Sequence, residues 1–327
     1  MSAAPLQNAC WTVTNGTAGM ENQALGLAER LDFPIVAKRV RLAWPWNKLA
    51  PFHWGSPFLK LAAGSDPIAP PWPRLAIGVG RESIPIMTAI KKASGGRTLL
   101  VQCQDPRVSL SLFDLVIPPE HDGVNGPNVF PILGSPNRIT PQKLADARVQ
   151  FADRFQHLRT PRLAVLVGGK SKTYRFDSAA VANFTSALVE LSKTMGLMVT
   201  LSRRTGEANT RHIASALEGS GAYVWNGAGE SPYLGVLGWA DAFLVTADSV
   251  NMVCDAAVTG KPIHIFPLPG GSAKFDRFHQ SLTVRGISRP FKGRIEQWDY
   301  TPLDETGRAA KRIRELLDVC AKPTDMK

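Results

Sequence analysis

The sequence predicts an α/β protein made of two doubly wound parallel-sheet domains. Three observations carry this expectation. Apolar runs of strand length alternate with segments of helical spacing, the pattern of βαβ units. The alternation occurs twice, on either side of a charged helical connector. The chain, at 327 residues, also exceeds the ~250–300 residues at which a single core stops growing.

In the first set, Trp11–Thr14, Leu75–Val79, Thr98–Gln102 and Leu112–Ile117 read as strands, with helices over Met20–Leu31 and Ile84–Lys92. From Phe33 to Ser65 there are Lys38, Arg39, Arg41, Lys48 and Lys60 and no acidic residue. That proline-rich stretch reads as an irregular loop with one short helix, Pro57–Ala63. The connector Pro141–Arg159 closes at Thr160-Pro161. The second set has strands at Leu163–Val167, Met198–Leu201, Tyr223–Trp225, Ala242–Thr246 and Pro262–Phe266. Its helices are Ser178–Thr194, Thr210–Leu217, Tyr233–Ala240 and Ser249–Thr259. Glu305–Val319 alternates basic with apolar residues, as a surface helix would. The expected domains are residues 1–150, joined by a C-terminal helix at 305–320, and residues 160–304. Two such sheets face to face would put a cleft at the carboxyl ends of their strands, where ligands bind in doubly wound folds.

Composition narrows the function. A 44% hydrophobic fraction excludes a largely disordered chain. No uncharged apolar run approaches the ~18–20 residues of a spanning helix, and the first twenty residues carry no Lys or Arg. A cytoplasmic protein is expected. The four cysteines form no C-x-x-C pair and the six histidines show no ligand spacing. Neither a metal nor a cofactor is expected. A formal charge of +11, from 38 Lys+Arg against 27 Asp+Glu, asks for an anionic partner.

Each domain opens with a strand that ends in a glycine turn and enters a helix. The first turn is Thr14-Asn-Gly16-Thr-Ala-Gly19, followed by Glu21 and Asn22; the second is Gly168-Gly169-Lys170-Ser-Lys172. Neither matches G-x-G-x-x-G or the P-loop. Each serves either a tight turn or an anion site, and the lysines favour the anion reading in the second. Arg203 and Arg204 form another basic turn at the same sheet edge. Ser249 is placed to cap a helix and Asp248 to flank its positive end. That helix start could hold a diphosphate, with Asp255 about two turns in reaching sugar hydroxyls. In the first domain, His121, Asp122 and Asp105 follow predicted strands. They either close turns or supply a general base. No Asp-x-Asp pair is present, which removes the metal–diphosphate clamp of the other large transferase fold. Trp44, Trp46 and Trp54 with Lys48 either pack inward or meet an anionic membrane surface. Nucleic acid is not expected, because its recognition motifs are missing.

The run from Val245-Thr-Ala-Asp-Ser249 through Asp255 to Thr259-Gly-Lys-Pro262 resembles the donor half of GT-B glycosyltransferases. Several segments resemble the mitochondrial fission Elm-type family more closely. They are Gly19-Met-Glu-Asn-Gln, Gln104-Asp-Pro-Arg107, Phe113-Asp-Leu-Val-Ile-Pro-Pro-Glu-His-Asp122, Gly126-Pro-Asn128, Ser202-Arg-Arg-Thr205 and Trp239-Ala-Asp-Ala242. Met20, Ser231 and Asp255 depart from that pattern, where His, Asn and Glu are usual. The resemblance implies two Rossmann-like domains in a GT-B-like fold, in a bacterial cytoplasmic protein, and the basic tryptophan loop adds the expectation of a peripheral place on the inner face of the inner membrane. With the basic turns and candidate bases, the leading expectation is a metal-independent glycosyltransferase using a nucleoside-diphosphate sugar and an envelope- or lipid-linked acceptor. The alternative is a non-catalytic binding or scaffold protein. An NAD-dependent epimerase is opposed by the missing G-x-G-x-x-G and Tyr-x-x-x-Lys.

Overall fold

The computed structural model describes residues 6–52, 55–225 and 227–321. The chain forms two compact units. One runs to Arg138 and takes in the chain again from Asp304; the other is Ile139–Leu303.

The first unit contains β1 (Leu6–Thr14), α1 (Ala18–Ala28), β2 (Ile35–Arg39), α2 (Trp46–Leu49), β3 (Trp72–Val79), α3 (Ser83–Ala93), β4 (Leu99–Cys103) and β5 (Leu115–Ile117). All strands are parallel, in the order β2-β1-β3-β4-β5. Because both faces of the sheet are covered, the central strands are apolar throughout rather than alternating. Leu75, Ile77 and Val79 of β3 face α1 and the C-terminal helix (Glu305–Ala321). Ala76 of the same strand joins the opposite core with Ile86, Met87 and Ile90 of α3. The C-terminal helix contributes Ala309, Ala310 and Ile313, all fully buried, and burying one Ile side chain stabilises by roughly 1.5–3 kcal/mol. Leu133 and Asn137 tie the chain back to it through Glu305 and Thr306.

β2 lies in the segment expected to be an irregular loop. It is an edge strand, and its cations are absorbed locally. Lys38 Nζ sits 4.8 Å from the Trp11 ring centroid, and Arg39 pairs with Glu21 at 2.5 Å. The expected helix Pro57–Ala63 is a single 3-10 turn, Pro57–Lys60.

The second unit contains α4 (Pro141–Gln150), α5 (Ala152–Phe155), β6 (Arg162–Val167), α6 (Ser178–Ser192), β7 (Gly196–Leu201), α7 (Glu207–Ala216) and β8 (Tyr223–Trp225). It continues with α8 (Tyr233–Trp239), β9 (Ala242–Thr246), α9 (Val250–Ala257), β10 (Ile263–Phe266), α10 (Ala273–Val284) and β11 (Ser288–Pro290). The six strands are parallel in the order β11-β10-β9-β6-β7-β8. Chain direction along the sheet therefore reverses between β6 and β9. The crevice at such a reversal is where doubly wound sheets bind ligands. α10 and β11 were not expected from the sequence.

The expected end of the first domain at residue 150 moves back to Arg138, since α4 belongs to the second unit. It packs on α8 so closely that a Cβ on Gly238 would lie 2.7 Å from the Leu144 carbonyl oxygen. Trp239 Nε1 donates to Arg148 O at 2.8 Å, and the Arg148 guanidinium stacks on the same indole. Thr140 caps α4 by accepting from Lys143 N, with Pro141 at its first position.

Candidate functional site

The most organised polar cluster lies at the reversal point of the second sheet, where β6, β7 and β9 end side by side. After β6 the chain turns through Gly168 and Gly169. Gly168 N donates to Thr246 Oγ1 at 2.8 Å, and Gly169 N to Asp248 Oδ2 at 3.0 Å. From the β7 side, Ser202 Oγ and Thr205 Oγ1 donate to Gly168 O at 2.5 and 2.8 Å. Lys170 N donates to Arg204 O at 3.1 Å. The glycines are needed for space. A Cβ on Gly168 would sit 2.2 Å from Asp248 Oδ2, and one on Gly169 would sit 2.3 Å from Arg204 O, at φ +135°.

These bonds change the expected division of labour. The amides of Gly168, Gly169 and Lys170 are spent inside the protein, so the double-glycine turn is not an empty phosphate cradle. The Asp248 carboxylate occupies it instead. Its side chain is 0% exposed, and it accepts from Gly169 N, from Thr246 Oγ1 at 2.7 Å and from Arg204 Nη1 at 2.6 Å. Burial pushes the carboxyl above its ordinary value, opposed by the Thr246 hydroxyl, the Arg204 guanidinium and the Gly169 amide. Arg204 is thereby committed to Asp248. The cations left facing solvent at this edge are Lys170, Lys172 and Arg203. Lys170 and Lys172 flank a tight turn in which Ser171 N donates to Tyr174 O at 3.0 Å, and Tyr174 pairs with Gly270.

Ser249 caps α9 as expected, accepting from Met252 N at 3.4 Å. Asp255, on the second turn of α9, accepts from Tyr233 Oη at 2.8 Å. Burial raises its carboxyl to about 7, the Tyr233 hydrogen bond opposing. Several polar groups of this region were not singled out from sequence: Thr246, Ser202, Thr205, Tyr233 and His279. His279 Nε2 lies 2.8 Å from Ala247 O, between Thr246 and Asp248 in the chain. The hydroxyl residues carry a usable signal, being Ser or Thr within two residues of a strand end. His279 carries none, because α10 itself was not legible.

In the first unit, Gly16 takes φ +80° just after β1, while Gly19 lies inside α1. Glu21 is occupied by Arg39, and Asn22 is exposed. Asp105 is exposed and accepts from Arg107 N at 2.9 Å. It stands between two non-glycine residues with left-handed backbone, Gln104 at φ 72° and Arg107 at φ 56°. Strain of this kind gathers at functional sites. Gln104 Nε2 also donates to Gln23 Oε1 of α1 at 3.0 Å. His121 and Asp122 lie in a 3-10 turn beyond β5, with His121 Nε2 3.7 Å from Asp122 Oδ1 and side chains only 5% and 7% exposed. Asn128 is structural, its Nδ2 donating to Leu110 O and Phe113 O, both at 2.8 Å.

The tryptophans divide. Trp72 is buried, stacked on Phe58 and edge-on to Trp11. Trp44 projects into solvent at 79% exposure, and Trp46 is half-buried under Lys60. Trp54 lies outside the described residues. Among the described residues no group of His, Cys, Asp or Glu is placed to hold a metal ion, and no helix is long and apolar enough to cross a membrane.

Among solved structures, the UDP-GlcNAc 2-epimerase of Methanocaldococcus jannaschii superposes with a TM-score of 0.55 at 9% identity, covering 96% of this chain and 100% of that one. The UDP-GlcNAc 2-epimerase of Neisseria meningitidis, bound to UDP-GlcNAc, gives 0.53 at 13% identity, covering 96% and 100%. At such identities the likeness concerns the fold alone, and it agrees with the two doubly wound parallel sheets of a GT-B-like class. The chain is 32% identical over 273 residues to Mitochondrial fission protein ELM1 of Arabidopsis thaliana, 75% of this chain but only 64% of that protein's length. Residues 18–317 match the family described as Mitochondrial fission ELM1, and the chain belongs to that family.

Proposed function

We propose that the second unit binds a nucleoside-diphosphate sugar at the β6/β9 reversal point, and that the protein transfers the sugar to an envelope- or lipid-linked acceptor. The observation that carries this is the rigid basic edge. The ends of β6 and β7 hold Lys170, Lys172 and Arg203 around a turn fixed by Asp248 from the end of β9. Lysines and arginines there meet the diphosphate, with the start of α9 adding its dipole. Asp248 and Arg204 hold the scaffold and do not touch the phosphates. Asp255 gives one oxygen to Tyr233 and the other to a sugar hydroxyl. The similarity in fold to epimerases of UDP-GlcNAc supports the ligand class.

Transfer needs a base that takes the proton of the acceptor hydroxyl as its oxygen bonds to the anomeric carbon and the diphosphate departs. Of the three candidates, Asp105 is the accessible one and is our assignment. Charge developing on the leaving diphosphate is met by Lys170, Lys172 and Arg203. The burial of His121 and Asp122 favours a second reading, in which the sugar nucleotide binds without turnover. Incubation with UDP- and GDP-sugars, followed by NMR of the products, separates the two. Release of free nucleoside diphosphate, abolished by Asp105→Asn, is the expected result. An unchanged sugar nucleotide in the presence of membrane extract would leave binding without catalysis.

A further inference from the structure

The first unit has an apolar surface of its own, formed by none of the residues assigned to the nucleotide. On the α3 face of its sheet is a cavity of about 400 Å³ lined by Leu49, Phe52, Ile84, Thr88, Val108 and Leu112. Phe52 of this lining is 62% exposed, and the adjoining loop segments, joined by Ala43 N donating to Lys60 O, expose Leu59 at 89% and Trp44. Isolated exposed apolar residues need no explanation, but several on one loop system beside an open apolar cavity do.

The loop system from Phe33 to Ser65 carries charge of one sign, its acidic neighbours Asp66 and Glu82 accepting from the backbone amides of Arg39 and Leu42. Of the five cations between Phe33 and Ser65, three are engaged by the unit itself. Lys38 lies on Trp11 and donates to Pro67 O, Arg39 pairs with Glu21, and Arg41 donates to Asn15 O. Lys48 and Lys60 remain. Lys48 is exposed on α2. Lys60 Nζ lies 3.4 Å from the Trp46 ring centroid, shielded from solvent and without a hydrogen-bond acceptor among the described residues. A buried ammonium satisfied only by an indole face is costly to keep, and an anion delivered next to it removes that cost.

We infer that this surface docks on an anionic phospholipid bilayer, with one lipid's hydrocarbon chain in the cavity and its phosphate at Lys60. Trp44, Phe52 and Leu59 enter the headgroup region, and Lys48 adds attraction to neighbouring headgroups. The inference deepens the lipid-linked acceptor part of the proposed function, because it names the element that brings the enzyme to that acceptor. It does not depend on the nucleotide site.

The test is flotation of the full chain with vesicles of phosphatidylcholine containing about a third phosphatidylglycerol, against phosphatidylcholine alone. Binding to the anionic vesicles only is expected, weakened about fivefold by each of Lys48→Gln and Lys60→Gln. It is expected to be abolished by Phe52→Ser/Leu59→Ser, two exposed positions whose change leaves the core intact. Millimolar inorganic phosphate should not compete. Flotation that is absent, equal on neutral vesicles, unaltered in all the variants, or displaced by inorganic phosphate would overturn the inference. Calorimetry with a sugar nucleotide on the same variants keeps the outcomes separate: intact nucleotide binding with no flotation sinks the lipid site alone.

Discussion

Asp248 is the residue on which the second unit's site turns. A carboxylate with no exposure, fed by an amide, a hydroxyl and a guanidinium, fixes both the glycine turn and Arg204. Removing it leaves Gly169 N and Thr246 Oγ1 without their acceptor. Asp248→Ala is therefore expected to lower unfolding stability by about 2–4 kcal/mol, read by chemical denaturation. Gly169→Ala should cost about 2 kcal/mol or more, since its Cβ meets the Arg204 carbonyl and φ is positive. Asp255 gives a pH signature. Its carboxyl is raised to about 7 in the fold against ~3.9 in an unfolded chain. The folded protein thus holds a proton that the unfolded chain gives up earlier. Stability from this group is complete below about pH 4 and falls as pH rises to 7, with a slope of at most about 1.4 kcal/mol per pH unit. Asp255→Asn should flatten that slope in a denaturation series; an unchanged slope would remove Asp255 from the account.

Among elements, the C-terminal helix completes one of the two cores of the first unit. It returns after the whole second unit to fill the core behind α1. Ile313→Ala is expected to cost about 2–4 kcal/mol, and thermal unfolding read by tryptophan fluorescence would register it. The helix and the central strands were legible because their burial is written into local pattern: continuous apolar runs in β3, β6 and β9, and an amphipathic stripe from Ala309 to Leu317. β2 was not legible, since Lys38 and Arg39 make an edge strand look like a loop until Trp11 and Glu21 are placed beside them. α10 buries only Phe278 and Leu282 behind paired glycines, too weak a stripe to read. For the site, the residue types were legible and the network was not. Gly169 and Asp248 are 79 positions apart, and which donor Asp248 accepts from is decided only when β6 and β9 pair.

At the scale of the whole molecule, the cations behind the +11 charge serve different ends. Arg39 and Arg204 are paired within their own units, with Glu21 and Asp248. Lys170, Lys172 and Arg203 face outward at the end of the second sheet, while Lys48 is exposed on α2 and Lys60 lies against Trp46 in the first unit. The central claim concerns the former group. Calorimetric titration of the full chain with UDP- and GDP-sugars tests it directly. One molecule should bind per chain with Kd below ~1 mM, weakened about tenfold or more by Lys170→Gln/Lys172→Gln and unchanged by Lys48→Gln/Lys60→Gln. Absence of binding by every sugar nucleotide at millimolar concentration, or equal binding by the Lys170→Gln/Lys172→Gln variant, would contradict it.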